Sequence, residues 1–159
     1  MKKLLLIITL SLSGIFINAQ SGNPTKEETV KFIDKTLKKA IGEKISIDLV
    51  LTDIHFNPDK LIVVSSYASE RPETDIYENM DWTRFTLLRE QPDSFLSPKI
   101  MEIVLYFDSK IKSTYEGKSK YDGNTINIYA PKDTVESVKK AILHLVELAK
   151  KEEDNNPFK

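Results

Sequence analysis

With no cysteine in the chain, the residues whose types could do chemistry are two histidines and one carboxylate-rich segment. A zinc site takes three or four ligands from Cys, His or carboxylate, and His55 and His144 stand in no H-E-x-x-H or related spacing. His55 alternates with Ile54 and Phe56 and so faces away from them, towards solvent. His144 falls two positions after Ile142, off the apolar stripe of its helix, and reads as a surface residue whose replacement by Ala leaves stability nearly unchanged. The carboxylates are Glu70, Glu73, Asp75, Glu78 and Asp81. Calcium would want six to eight oxygens, but this segment lacks the alternating acids and central glycine of an EF-hand loop and reads as a solvated loop. Ser65, Ser66 and Ser113 have no base to nominate beside them. No nucleophile elbow, Walker loop or dinucleotide-binding glycine motif occurs. These observations assign no catalytic residue, metal or cofactor. Arg71, Tyr77 and Trp82, in and beside the acidic loop, are the candidate partner-binding residues, because exposed Trp, Tyr and Arg dominate contact surfaces. The competing reading buries Trp82 in the core.

The elements that must position these residues follow from periodicity. Thr25 and Glu28 form a capping box, and Val30, Ile33, Leu37, Ala40 and Ile41 give a first amphipathic helix over Lys26 to Ile41, stopped at Gly42. From Ile45 the period becomes two, with a phase slip at Thr52 and Asp53 that predicts a bulge. Asn57-Pro58-Asp59-Lys60 is a turn, and Leu61 to Tyr67 completes a hairpin. Ser69 to Met80 is the long polar connection. Asp81 to Arg89 reads as the next strand, then Lys99 to Phe107 and Lys110 to Tyr115 with a turn or bulge at Asp108-Ser109. Asp122-Gly123 is the best hairpin signal, and Thr125 to Ala130 is the last strand. Pro131 to Lys151 is a long helix with a stripe of Val135, Val138, Ile142, Leu145 and Ala149, capped by Asp133 with Glu136.

The first nineteen residues have a different character. Lys2 and Lys3 precede an apolar run from Leu4 to Ile17, and Ala19 sits where a signal peptidase would cut before Gln20. The run is shorter than the ~20 residues of a membrane span. The expected organisation is a signal peptide (1–19), a polar lead (20–24), one domain (25–151) and a polar tail (152–159). Without Lys2 and Lys3 the chain from Gln20 has net charge −3, against the basic surface that nucleic-acid binding needs. Export without disulfides leaves the hydrophobic core to hold the domain by itself.

The element order is helix, six or seven antiparallel strands, then a long closing helix, an α+β class. Over Ile45 to Lys151 this order resembles the pleckstrin-homology-like arrangement, in which a bent sheet is closed by the last helix; a helix-grip fold is the alternative. Asn18-Ala19-Gln20 resembles export signals of Bacteroidota. The opening Thr25-Lys26-Glu27-Glu28-Thr29 and the late helix Ala141-Ile142-Leu143-His144-Leu145, with the ending near Pro157-Phe158, resemble small exported proteins of uncharacterised function of that group. That resemblance implies a location and a fold but no activity. The expected function is a non-catalytic, exported (periplasmic or secreted) binding or protein-interaction domain. A carrier of a lipid or small apolar ligand and an inhibitor or immunity protein are the alternatives, and an enzyme ranks last.

Overall fold

Strand β5 (Ile100–Tyr115) is the axis of the sheet, because three other strands pair with it. Along one edge runs β6 (Lys118–Pro131), antiparallel and joined to it by Glu116 and Gly117 alone. Both linking residues have positive φ, 50° and 73°, as the tight hairpin turn that follows the strand twist demands. The other edge of β5 is shared by β3 (Glu73–Glu78), which pairs with residues 112–115, and by β4 (Phe85–Gln91), which pairs with residues 102–107. Beyond β3 lie β2 (Lys60–Tyr67) and β1 (Leu49–Asn57). This computed structural model describes residues 23–67, 71–92 and 95–156, with side chains left out at residues 119–122. The expected signal peptide and cleavage at Ala19-Gln20, Ser69 and Glu70 of the polar connection, and Pro157 to Lys159 lie outside those residues.

The six antiparallel strands curl into a half barrel, and two helices complete an α+β domain of the expected class, consistent with a pleckstrin-homology-like arrangement. Helix α1 (Lys26–Leu37), continued by one 3₁₀ turn to Ala40, packs against β1, β6 and the final helix α2 (Val135–Asp154). It thus spans the opening between the first and last strands. Ile33 and Leu37 of α1, Leu51 and Ile54 of β1, Ile103 and Leu105 of β5, and Val138, Ile142 and Leu145 of α2 belong to one fully buried cluster. All five residues of the expected α2 stripe are buried, and Val146 joins them.

The outer edge of β1 is closed by local chemistry. The Leu51 amide donates to the Glu43 carbonyl at 3.0 Å, and the Gly42 amide to the Leu51 carbonyl at 2.8 Å. Further along, the Phe56 amide donates to Asp34 of α1 at 3.0 Å. An exposed row of strand donors invites pairing with another chain, and these contacts remove it. Burial works to raise the Asp34 carboxyl, but hydrogen bonds from Lys38 and the Phe56 amide, with the Lys38 charge, outweigh it and leave it below the usual range. The bulge expected near Thr52 is present, between Leu51 and Asp53.

Several expectations are corrected. The acidic connection is not a loop, since Glu73–Glu78 is β3, a strand bonded on both sides. The next strand begins at Phe85, and Trp82–Arg84 is a 3₁₀ turn capped by Asp81. The first strand begins at Leu49, with a lone bridge from Lys44 to Val50 before it. Asp122 and Gly123 lie inside β6, opposite Lys112 and Ile111. Helix α2 starts after a 3₁₀ turn with no side-chain cap, so the Asp133–Glu136 box does not form. Thr134 instead donates its hydroxyl to the Pro131 carbonyl at 2.9 Å. The helix also runs to Asp154, three residues past the expected end.

Candidate functional site

Of the three expected partner-binding residues, one remains at the surface. Trp82 is buried, at 4% exposure. Its indole N–H donates to the Pro58 carbonyl at 2.7 Å. Its ring meets Phe56 and Phe107 edge-on, with centroids 6.0 and 5.4 Å away. A bulky ring with one satisfied polar atom is a core anchor, and here it ties the β1–β2 turn to β5. Tyr77 is half-buried and packs against the core. Arg71 is exposed. The carboxylates are likewise occupied: Glu78 sits between Lys60 at 3.2 Å and Lys112 at 3.1 Å, and hydrogen bonds from these lysines hold its carboxyl below the usual range.

A second polar group runs along β5 and its neighbours. Glu102, buried, accepts from the Asn127 amide at 2.8 Å. Burial first, then the charge of Glu102, drives the Tyr129 phenol well above its ordinary value, with Tyr77 and Asp75 adding to the shift. A hydrogen bond to Glu73 pushes the Tyr115 phenol up to about 12. These phenols therefore stay protonated at neutral pH and act as donors to carboxylates, an arrangement that rigidifies a sheet. His55 is exposed and lies 3.0 Å from Asp53. Ser65 and Ser113 are buried strand residues. Among the described residues no group of three His, Asp or Glu could hold a metal ion.

One open groove, walled by carbon, lies between the two helices. Thr25 accepts from the Glu28 amide at 3.2 Å, while the Glu28 carboxylate accepts the Thr25 amide at 2.8 Å, so the expected capping box fixes the start of α1. Bonds donated to the carboxylate by the Thr25 amide and then by the Thr25 hydroxyl, the latter at 3.0 Å, hold the Glu28 carboxyl below the usual range. Just before it, the Pro24 carbonyl lies 2.8 Å from Nε2 of His144 on α2. A carbonyl can only accept, so this bond places the imidazole proton on Nε2. The His144 side chain is 19% exposed, which corrects the expected surface placement: α1 covers the side of α2 that the stripe leaves uncovered. Above these contacts opens a groove of about 350 Å³ lined by Pro24, Glu28, Thr29, Phe32, Lys140, Ala141 and His144, its walls almost entirely carbon. Phe32 and Leu143 are the exposed large apolar side chains of the two helices, at 43% and 46%. Both fall outside the buried stripes, and an apolar residue out of register was the sequence signal for this face. A larger opening of about 420 Å³ is ringed by the charged side chains Lys39, Glu43, Lys99, Lys132 and Asp133, with Ile100 and Pro131 between them. Glu43 in its wall is engaged by Ser97 at 2.6 Å and Lys99 at 3.1 Å, which lower its carboxyl.

This geometry defines a small α+β domain with an open, carbon-walled groove between its two helices. No protein-family model, curated protein or solved structure matches the chain. No helix among the described residues is long and apolar enough to cross a membrane.

Proposed function

We propose that the protein is an exported, non-catalytic interaction domain whose contact surface is the α1–α2 face. The observation that carries this reading is the carbon-walled groove with the exposed Phe32 in its wall, while α2 carries a second exposed apolar side chain, Leu143. A patch of exposed carbon rimmed by charge is the usual mark of an interaction surface. Export rests on the residues before Gln20, whose basic start and apolar run fit a secretory signal. A carrier of an apolar ligand would need an enclosed cavity, and this groove is open along one side. The test is a photo-crosslinking amino acid at position 32 in the exported protein, with the same group at Lys118 on the hairpin as the control. A discrete adduct from position 32 that Ala141→Glu abolishes is expected. Adducts of equal yield from both positions, or from neither, would refute the reading.

A further inference from the structure

We infer that the partner of this face is a second copy of the same chain, with the two α2 helices antiparallel across a two-fold axis at Leu143. The inference deepens the proposed contact face and rests on it. Glu136, Lys140, Leu143, Glu147 and Lys150 recur at alternating four- and three-residue spacing, which keeps them in one row on a helix, and all five are exposed. At a rise of about 1.5 Å per residue, Glu136 and Lys150 each lie about 10.5 Å from Leu143, on opposite sides, and Lys140 and Glu147 about 4.5 and 6 Å from it. A two-fold axis at Leu143 therefore sets Lys140 against Glu147 of the second copy and Glu136 against its Lys150, each pairing occurring twice. Parallel helices would instead oppose like charges along the row, so the order of charges selects the antiparallel arrangement.

The charges are available for this. Lys140 and Lys150 make no ion pair within the described chain, and the contact of Glu147 is with His144 at 3.8 Å. Glu136 is shared with Lys139 at 2.7 Å, and Lys139 also holds Glu90 at 2.6 Å. Leu143, half exposed in one chain, becomes the apolar centre of the contact, and Lys140, which also lines the groove, stands one turn before it. The helix face alone makes a small interface, and interfaces below standard size are weak.

Sedimentation velocity on the purified chain over a concentration series tests this. The mass is expected to rise to twice that of one chain, with a dissociation constant on the order of 100 µM. Lys140→Glu, which sets carboxylate against carboxylate, and Glu147→Lys, which sets ammonium against ammonium, should each weaken the dimer about tenfold or more. The double variant K140E/E147K restores opposite charges and should return to within about threefold of the parent. Circular dichroism and melting on each variant verify that the fold is kept, as substitutions at exposed positions allow. A chain that stays monomeric at about ten times that concentration, or a double variant no better than the singles, overturns the proposal. If the position-32 crosslinker then captures a different protein, the interaction reading stands and the second copy falls; if it captures nothing, both fall.

Discussion

Helix α2 has two faces that obey different rules. Its inner face carries Val138, Ile142 and Leu145 with no exposed surface, interlocked with residues of α1, β1, β5 and β6. Its outer face carries Glu136, Lys140, Glu147 and Lys150 around Leu143, all in contact with water. On the inner face volume decides, because a packed interior tolerates neither a gap nor an unpaired charge. On the outer face the order of charges decides, because nothing there is filled. The inner face sets whether the chain folds, and the outer face is where the proposed contact would form.

Neighbouring substitutions on the two faces give the sharpest contrast. Ile142→Asp buries a carboxylate with no partner, costs more than about 4 kcal/mol and is expected to leave the protein unfolded at room temperature, seen as loss of a cooperative urea transition. Such a cost approaches the whole stability of many domains. The contact that holds α1 to the β1 edge comes next. Because the Asp34 carboxyl is lowered in the folded state, its contribution is present above its ordinary value of 3.8 and is lost as pH falls through the lower folded value. Asp34→Asn should therefore cost about 1–2 kcal/mol at pH 7, and the difference from the parent should shrink in urea melts as the pH is taken progressively below 3.8. His144→Ala removes the bond to the Pro24 carbonyl and should cost about 1 kcal/mol, with faster amide exchange confined to the first turn of α1. Leu143→Asp, adjacent to the most damaging site, should change stability by no more than about 0.5 kcal/mol. Equal damage at positions 142 and 143 would erase the distinction between the faces.

Much of the fold was legible because period and volume speak locally. The stripes of α1 and α2, the bulge after Leu51 and the β1–β2 turn are each set by residues close in sequence. Strand β3 was not, since Glu73-Thr-Asp-Ile-Tyr-Glu has one aliphatic residue and a strongly acidic composition. It is a strand because β2 and β5 bond it from both sides and because Lys60 and Lys112, distant in sequence, neutralise Glu78. Asp122-Gly123 carried the better turn chemistry, yet Glu116-Gly117 takes the turn at the cost of a glutamate in the left-handed region. The twelve residue pairs along that hairpin outweigh a local preference of about 1–2 kcal/mol. The candidate site was the least legible part. Its walls come from residues about 110 apart in the chain, Phe32 and Ala141 among them, and the helix pairing that joins them is a tertiary fact. Trp82 was misleading in the opposite sense, a residue type common at interfaces whose neighbours Phe56 and Phe107 make it core.

The position of α1 has a consequence for how the chain reaches this structure. Its surfaces of contact are β1, β6 and α2, and Lys26 at its start is bonded to Glu152, 126 residues later. A helix of twelve residues is too short to persist in water without such support. Helix α1, first of the described elements in chain order, is therefore expected among the last to become permanent. The β5–β6 hairpin, closed by a two-residue link, can zip early because its partners are adjacent in sequence. Helix α1 must wait for loop closure over nearly the whole chain before its apolar stripe is covered, so the rate of folding should respond to changes in the Glu116-Gly117 turn, and the rate of unfolding to changes in α1.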